Sequence, residues 1–334
     1  MSCFVLAYLL VFFPCAPSEP SPEFGVISTT STSANTAGKK NTSIPLKFEV
    51  VNGVEMASIL GGEVIDLTYI KSLLTSTEAT QLVEICNDRN GWVVSPQKGK
   101  GEEEPGEFRE NSARSSSSCP MLWPRLYLPR YEELDAAGKI SGALKKELNL
   151  TWSLTQRFAQ ILKIPTNRFE PFQLIRYEEG QQYREHHDHG AYYGLVDAHR
   201  STTLLIFLSD LHNAGGETNF PLLNIKIEPR IGAGIVWNNI QDIEIDESDG
   251  SITSNYVLLE AVHEGLPPNQ RSDNNNDDDD GESNDSNDSN DNSNSNGNNN
   301  DSCRNKKVEL VKYAMNVWIR EEEVGNLDTE AYKT

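Results

Sequence analysis

The chain is 334 residues long and carries 29 basic against 50 acidic side chains, a formal net charge of −21. Nucleic-acid binding takes its affinity from Lys and Arg that neutralise phosphates. This balance, with no dense basic stripe, argues against a nucleic-acid partner and favours electrostatic steering of a basic peptide. Five cysteines without a Cys-x-x-Cys pair exclude the common zinc frameworks.

From the N-terminus, Cys3 to Phe13 is an apolar run with Pro14 behind it. It is shorter than the about 20 residues a membrane span requires. Ala16-Pro-Ser18 offers small residues suited to cleavage after Ser18, so residues 1–18 are expected to be a secretory signal. The positive n-region is reduced to the α-amine. The alternative is a buried segment or an uncleaved anchor, the one case in which a membrane enters. Residues 19–46, rich in Ser, Thr, Ala and Asn between Ser28 and Ser43, read as a flexible linker. Asn41-Thr-Ser43 and Asn149-Leu-Thr151 are glycosylation sequons.

Residues 47–334 show no second break in composition apart from one insertion and read as a single domain. Thr75-Ser-Thr-Glu78 is a capping box that predicts a helix through about Asp88. Its apolar stripe is Ala79, Leu82, Val83 and Cys86, and Asn90-Gly91 ends it. A second helix is predicted from Leu154 to Leu162, with Leu154, Phe158, Ile161 and Leu162 on one face and Pro165 beyond its end. If Cys3 and Cys15 leave with a signal peptide, Cys86, Cys119 and Cys303 remain. One bridge is then possible, and Cys86–Cys119 is the pair expected, although spacing does not fix it.

The downstream half alternates as strands separated by turn signals, the pattern of a closed or sandwiched β core. Phe172 to Tyr177 reads as a strand, and His186 and Asp188 follow, two residues apart. On a strand that spacing puts both on one face, so both can reach one ion. His187 and His189 are rivals, but only His186 has the i+2 relation to Asp188. His199 and His212 fall in loop-like stretches. His263 closes the run Asn255 to His263, in which Val257, Leu259 and Ala261 share its face and point it into an apolar interior. Lys312 opens Lys312 to Arg320, where Ala314, Asn316 and Trp318 lie on its face and Tyr313, Met315, Val317 and Ile319 on the other. Taken singly, a His-x-Asp pair, a strand-end lysine and a core histidine are ordinary polar structure. Two imidazoles and one carboxylate with open positions form the ligand set that suits Fe(II) and dioxygen.

The span from 273 to 301 is Asp, Asn, Ser, Gly and Glu, with ten acids, no base and no branched apolar residue. It cannot bury enough apolar surface to offset its ordering entropy. Residues 268–305 are therefore expected to be a disordered acidic insertion, tolerable because loop-closure entropy grows only logarithmically.

From about residue 170 to 320 the chain resembles the prolyl 4-hydroxylase group of 2-oxoglutarate/Fe(II) dioxygenases. The resemblance is carried by Tyr177-x-x-Gly180-Gln181-x-Tyr183-x-x-His186-x-Asp188, by Arg200 to Asp210 and by Gly215 to Pro221. Ile227 to Trp237 and Tyr313 to Arg320 complete it. It implies a mainly β fold with flanking helices (α+β), built on a double-stranded β-helix, or jelly roll. It implies His186, Asp188 and His263 as iron ligands. Lys312 and Tyr177 would hold the distal carboxylate of 2-oxoglutarate, with Thr203 lining the pocket. Tyr183, Arg200 and Trp318 would contact a peptide. The cofactor set implied is Fe(II), with 2-oxoglutarate and O2 as cosubstrates and ascorbate as reductant. The substrate implied is a prolyl residue in a proline-rich or collagen-like peptide, and the compartment the endoplasmic reticulum lumen. An oxygenase acting on another residue or a free amino acid, and a non-catalytic module that keeps the fold, are the alternatives. The chain departs from the family in its long segment between His263 and Lys312, in Tyr313 where Trp is usual, and in Glu309-Leu-Val311 where a glycine precedes the lysine. Lys306 and Lys307 therefore compete with Lys312, and the six-residue interval to Trp318 selects Lys312.

Overall fold

The computed structural model describes residues 27–31, 40–61, 65–95, 114–189, 200–245, 252–269, 310–321 and 323–324. The first strands are β1 (Ile27–Ser31), β2 (Lys40–Ser43), β3 (Glu49–Val51), β4 (Val54–Leu60) and β5 (Leu67–Ile70). Helix α1 (Ser76–Asp88) follows, then β6 (Val93–Val94), β7 (Ser117–Pro120), α2 (Pro124–Tyr127), α3 (Tyr131–Ala136) and α4 (Gly142–Leu162). The remaining strands are β8 (Gln173–Tyr177), β9 (Tyr183–His186), β10 (Arg200–Phe207), β11 (Thr218–Phe220), β12 (Ile225–Ile227) and β13 (Gly234–Asn238). After them come β14 (Ile240–Ile245), β15 (Ile252–Val257), β16 (His263–Gly265) and β17 (Lys312–Arg320).

Among the described residues three antiparallel sheets form: two large ones, in the orders β3-β4-β5-β13-β10-β17-β8-β7-β6 and β2-β1-β12-β11-β16-β9, and the two-stranded β14-β15. From β8 onward the chain steps between the two large sheets, with β11-β12 a hairpin within one and β14-β15 standing outside both, which is a jelly-roll winding. Strand alternation assigns each side chain to a layer. Leu204 and Ile206 of β10, with Met315, Val317 and Ile319 of β17, face α1 and α4. Leu205, Phe207 and Ala314 face the second sheet and meet Phe220, Ile225 and Ile227 there.

Helix α1 starts where its capping box predicts: Thr75 Oγ1 accepts from the Glu78 amide, and Glu78 accepts from the Thr75 amide. Arg157 of α4 clamps Glu78 at 2.7 Å, locking the two helices together. Helix α4 begins at Gly142, capped by Ser141, a full twelve residues before the predicted start at Leu154. Its buried stripe includes Thr151 and Thr155, whose hydroxyls donate to carbonyls one turn back and so can be buried. Hydrophobic periodicity misses such a stripe. Asn149 therefore lies on an exposed helical face, not in a loop.

Two more expectations are corrected. Residues 27–31 and 40–43 are not linker: β1 pairs with β12 and β2 with β1. The buried Ile27 anchors this hairpin in the core between the sheets, and Ser/Thr-rich composition is compatible with strand. The run ending at His263 is not one strand. β15 stops at Val257, Leu259–Ala261 make a 3-10 turn, and His263 opens β16. Leu258 and Ala261 are buried there, while Leu259 is 66% exposed.

Cys86 and Cys119 form a buried disulfide that ties α1 to β7. The expected signal at 1–18 and the insertion from residue 270 onward lie outside the described residues. Among the described residues no helix is long and apolar enough to cross a membrane.

Candidate active site

β9 and β16 pair with His186 directly opposite His263. Each imidazole is held from behind: His186 Nδ1 donates to the Arg184 carbonyl at 2.8 Å, and His263 Nδ1 to the Ala261 carbonyl at 2.9 Å. That leaves the Nε2 lone pairs free, and both face Asp188. His186 Nε2 is 3.8 Å from Oδ1, and His263 Nε2 is 3.7 Å from Oδ2. The three ligating atoms lie within 4.8 Å of one another. These spacings are too long for hydrogen bonds. Three donors that face one another without bonding are what an ion between them would join, with a modest inward movement to bonds of about 2.1 Å. Asp188 is steadied by Thr203, whose hydroxyl donates to Oδ2 at 2.9 Å.

Electrostatics agree with a metal site. Burial pushes the His186 imidazole down to about 3, so it is neutral and its lone pair available. Burial pushes the Asp188 carboxyl up, but His263, His186, Arg200 and the Thr203 hydroxyl together outweigh it and hold the group at about 2. A neutral nitrogen and an ionised oxygen are the forms that ligate.

The rings are fixed by packing. Tyr183 stacks on His186 at 3.5 Å, and Arg114 covers the Tyr183 ring at 4.5 Å. Trp237 sets its ring against His263 at 4.8 Å. His187 is excluded as a ligand. Its Nδ1 accepts from the His189 amide and its Nε2 donates to the Leu258 carbonyl, so both nitrogens are used. His199 lies outside the described residues, and His212 contacts Arg230 and is no part of the triad.

Beside the histidines is a cavity with about 320 Å³ of atom-free space, partly open to solvent. Tyr177, Thr218, Gly265 and Lys312 are among its lining residues. Lys312 is 1% exposed, and among the described residues no carboxylate pairs with its Nζ. Burial pulls its ammonium down to about 8, against a weaker upward pull from Glu217. Thr218 Oγ1 is buried without a hydrogen-bond partner. A Cβ on Gly265 would come within 3.1 Å of the Tyr177 hydroxyl. A buried cation, an orphaned hydroxyl and space kept free by a glycine fit the far carboxylate of a dicarboxylic acid. A larger cleft of about 700 Å³ of atom-free space lies between α1 and α4. Of its charged lining groups, Arg89 and Glu147 pair with each other at 3.0 Å, and it holds none of the His186, Asp188 and His263 cluster.

Thr203, expected beside the cosubstrate, donates to Asp188 and is not among the residues lining the cavity beside the histidines. Arg200 is fixed by two bonds to Glu170 at 2.9 Å and lies 3.7 Å over the Trp318 ring. Arg320 donates to the same Glu170 carboxylate, so one buried anion holds two guanidiniums. Arg114, Glu170, Thr218 and Asn239 escaped the sequence reading. Thr218 lies within the Gly215–Pro221 turn and could have been flagged. Arg114 and Glu170 sit in segments with no motif of their own.

Residues 172–274 match the model of the 2OG-Fe(II) oxygenase superfamily, a span that includes His186, Asp188 and His263 and stops before Lys312. That segment is therefore similar to the 2OG-Fe(II) oxygenases. Within them its similarity falls on the prolyl 4-hydroxylase group. It is 32% identical to prolyl 4-hydroxylase 13 of Arabidopsis thaliana over 105 residues, 26% of this chain and 38% of that protein. It is 31% identical to probable prolyl 4-hydroxylase 9 of the same plant over 122 residues, 31% of this chain and 42% of that protein. The chain therefore spans less than half the length of these relatives. A viral collagen prolyl hydroxylase from Paramecium Bursaria Chlorella virus-1, solved with 2OG, aligns at 18% identity and a TM-score of 0.41, covering 78% of this chain and 97% of that one.

Proposed function

We propose that this chain is a prolyl 4-hydroxylase that uses Fe(II), 2-oxoglutarate and O2. The observation that carries the reading is the facing of His186 Nε2, His263 Nε2 and Asp188 beside the buried Lys312. His186, Asp188 and His263 would hold the iron, and the open positions would take cosubstrate and oxygen. Bound there, iron with 2-oxoglutarate and oxygen supplies a hydroxylation at carbon, with succinate and CO2 as the other products.

The chain's own part is binding and aim. Lys312 pairs with the far carboxylate of 2-oxoglutarate, an ion pair strengthened by burial. Tyr177 and Thr218 supply further hydrogen bonds to it. Tyr183, Arg200 and Trp318 are the proposed peptide contacts. An extended polyproline II segment is already ordered, which lowers the entropy lost on docking. We take the substrate to be a proline-rich or collagen-like peptide and ascorbate to be the reductant.

The Cys86–Cys119 bridge supports an oxidising compartment, and we place the protein in the secretory pathway, in the endoplasmic reticulum lumen. Cell fractionation tests that placement; a cytosolic, fully reduced protein would refute it. The catalytic reading is tested by incubating purified protein with Fe(II), 2-oxoglutarate and a peptide library. Peptide-dependent succinate and a +16 mass shift on proline are expected, and both should vanish in His186→Ala and Asp188→Ala. Turnover that survives either substitution refutes the assignment. A shift on another residue type would move the chain to the alternative oxygenase reading.

A further inference from the structure

A one-way hydrogen-bond chain runs from Trp237 to the carboxylate of the proposed metal site. Trp237 Nε1 donates to Asn239 Oδ1 at 2.9 Å. Asn239 Nδ2 donates to Thr203 Oγ1 at 2.9 Å, and Thr203 donates to Asp188 Oδ2 at 2.9 Å. The direction is forced at every link. An indole N–H can only donate, so the Asn239 oxygen must face Trp237 and its NH2 must face Thr203. The threonine oxygen is then already receiving a proton, and its single hydrogen is committed to Asp188. The chain ends on a group that, ionised, can only accept.

Asn239 is the residue that sets this order, because its amide offers an acceptor on one side and a donor on the other. It is 0% exposed, and its main chain is fixed on both sides: its N–H donates to the Ser201 carbonyl at 2.7 Å, and its carbonyl accepts from Leu258 at 3.0 Å. It therefore joins β10, which carries Thr203, to the segment that leads into His263. The register that pairs Thr203 with Trp237 brings the links within reach. Trp237 in turn packs against the His263 ring at 4.8 Å.

We infer that Asn239 is a positioning residue of the metal site: acting through Thr203, it decides which lone pairs of Asp188 are occupied and which face the ion. This rests on the proposed iron site. Nothing in the role requires Asn239 to touch substrate or metal. Its effect should appear in metal affinity and should be routed through Thr203.

The test uses Mn(II) as probe, titrated calorimetrically into the metal-free protein, with the melting temperature of each metal-free variant as a control. Thr203→Val and Asn239→Ala should each weaken Mn(II) about ten- to a hundredfold, while Thr203→Ser retains most of the wild-type affinity. The double variant should bind no more weakly than Thr203→Val alone, because both changes cut one chain. Asn239→Asp keeps the bond from Trp237 but offers Thr203 no proton and draws the hydroxyl hydrogen away from Asp188. It should weaken Mn(II) by about tenfold or more despite its added negative charge, and it stands in if Asn239→Ala does not fold. Mn(II) affinity at the wild-type level in folded Asn239→Ala or Asn239→Asp overturns the inference. So does an Asn239→Ala effect that adds to that of Thr203→Val. Wild-type protein that takes up no Mn(II) would sink the iron-site reading along with it.

Discussion

Lys312 and Tyr177 stand directly opposite each other on neighbouring strands, and the Lys312 Nζ lies 5.2 Å from the Tyr177 ring. The pair sets a cation and a phenol at one end of the cavity whose other end is the histidine pair. Both are buried, and burial moves them in opposite senses: Lys312 down to about 8, Tyr177 up to about 12. A lysine in that state is poised to gain a carboxylate partner.

Lys312→Met should therefore separate stability from function. The folded value is about 8 against an ordinary 10.5, so the buried cation costs on the order of 3 kcal/mol below pH 8, where both folded and unfolded states are protonated. Between those values the unfolded chain binds more protons, so wild-type stability rises with pH. The variant should accordingly be the more stable protein at pH 7, with the gain fading as pH approaches 10.5. Urea unfolding of the metal-free proteins at several pH values reads this directly. Succinate production should be lost throughout, and a variant that is less stable at pH 7 would contradict burial of an uncompensated charge as the cause.

In the wild type, 2-oxoglutarate should bind best while Lys312 is charged. Its affinity should fall as pH rises through about 8, and binding near that pH should take up protons. Calorimetry in buffers of different ionisation enthalpy measures both effects.

Gly265→Ala tests the cavity without touching a charge. The glycine's φ is one that alanine adopts, but the new methyl would meet the Tyr177 hydroxyl at 3.1 Å. Overpacking of this kind costs roughly 1–3 kcal/mol. The KM for 2-oxoglutarate should rise about tenfold or more, with Mn(II) affinity unchanged.

Glu170→Gln removes the one carboxylate that both Arg200 and Arg320 share. Glu170 and Arg320 are each 1% exposed, so the Arg320 guanidinium would be left buried beside a neutral amide. Breaking a buried pair this way costs about 3–5 kcal/mol, which should appear as a lowered urea midpoint with an unchanged m-value.

Cys86 and Cys119 are 33 residues apart, a loop whose closure is worth roughly 3–4 kcal/mol. The double Cys→Ala variant should lose about that much stability. Its Mn(II) affinity should hold, because the bridge ties α1 to β7 and touches no ligating residue.

What could be read along the chain alone was whatever repeats locally. The i+2 spacing of His186 and Asp188, the alternation from Lys312 to Arg320 and the capping box at Thr75 are short-range patterns that backbone geometry imposes. They were enough to mark the residues that converge and the sheet that carries them. The same local logic failed where a residue's role depends on a partner remote in sequence. Thr203 meets Asp188 across 15 residues and Asn239 across 36, and Glu170 meets Arg320 across 150. Those meetings follow from the order and register of strands in the sheets, which no window of sequence contains. Register also turned Ser/Thr-rich segments into β1 and β2 and broke the approach to His263 at a 3-10 turn. Spacing thus proposed the ligands, and only the folded sheets decided what holds them in place, because hydrogen bonds require proximity in space and spacing fixes proximity only within a strand or a helical turn.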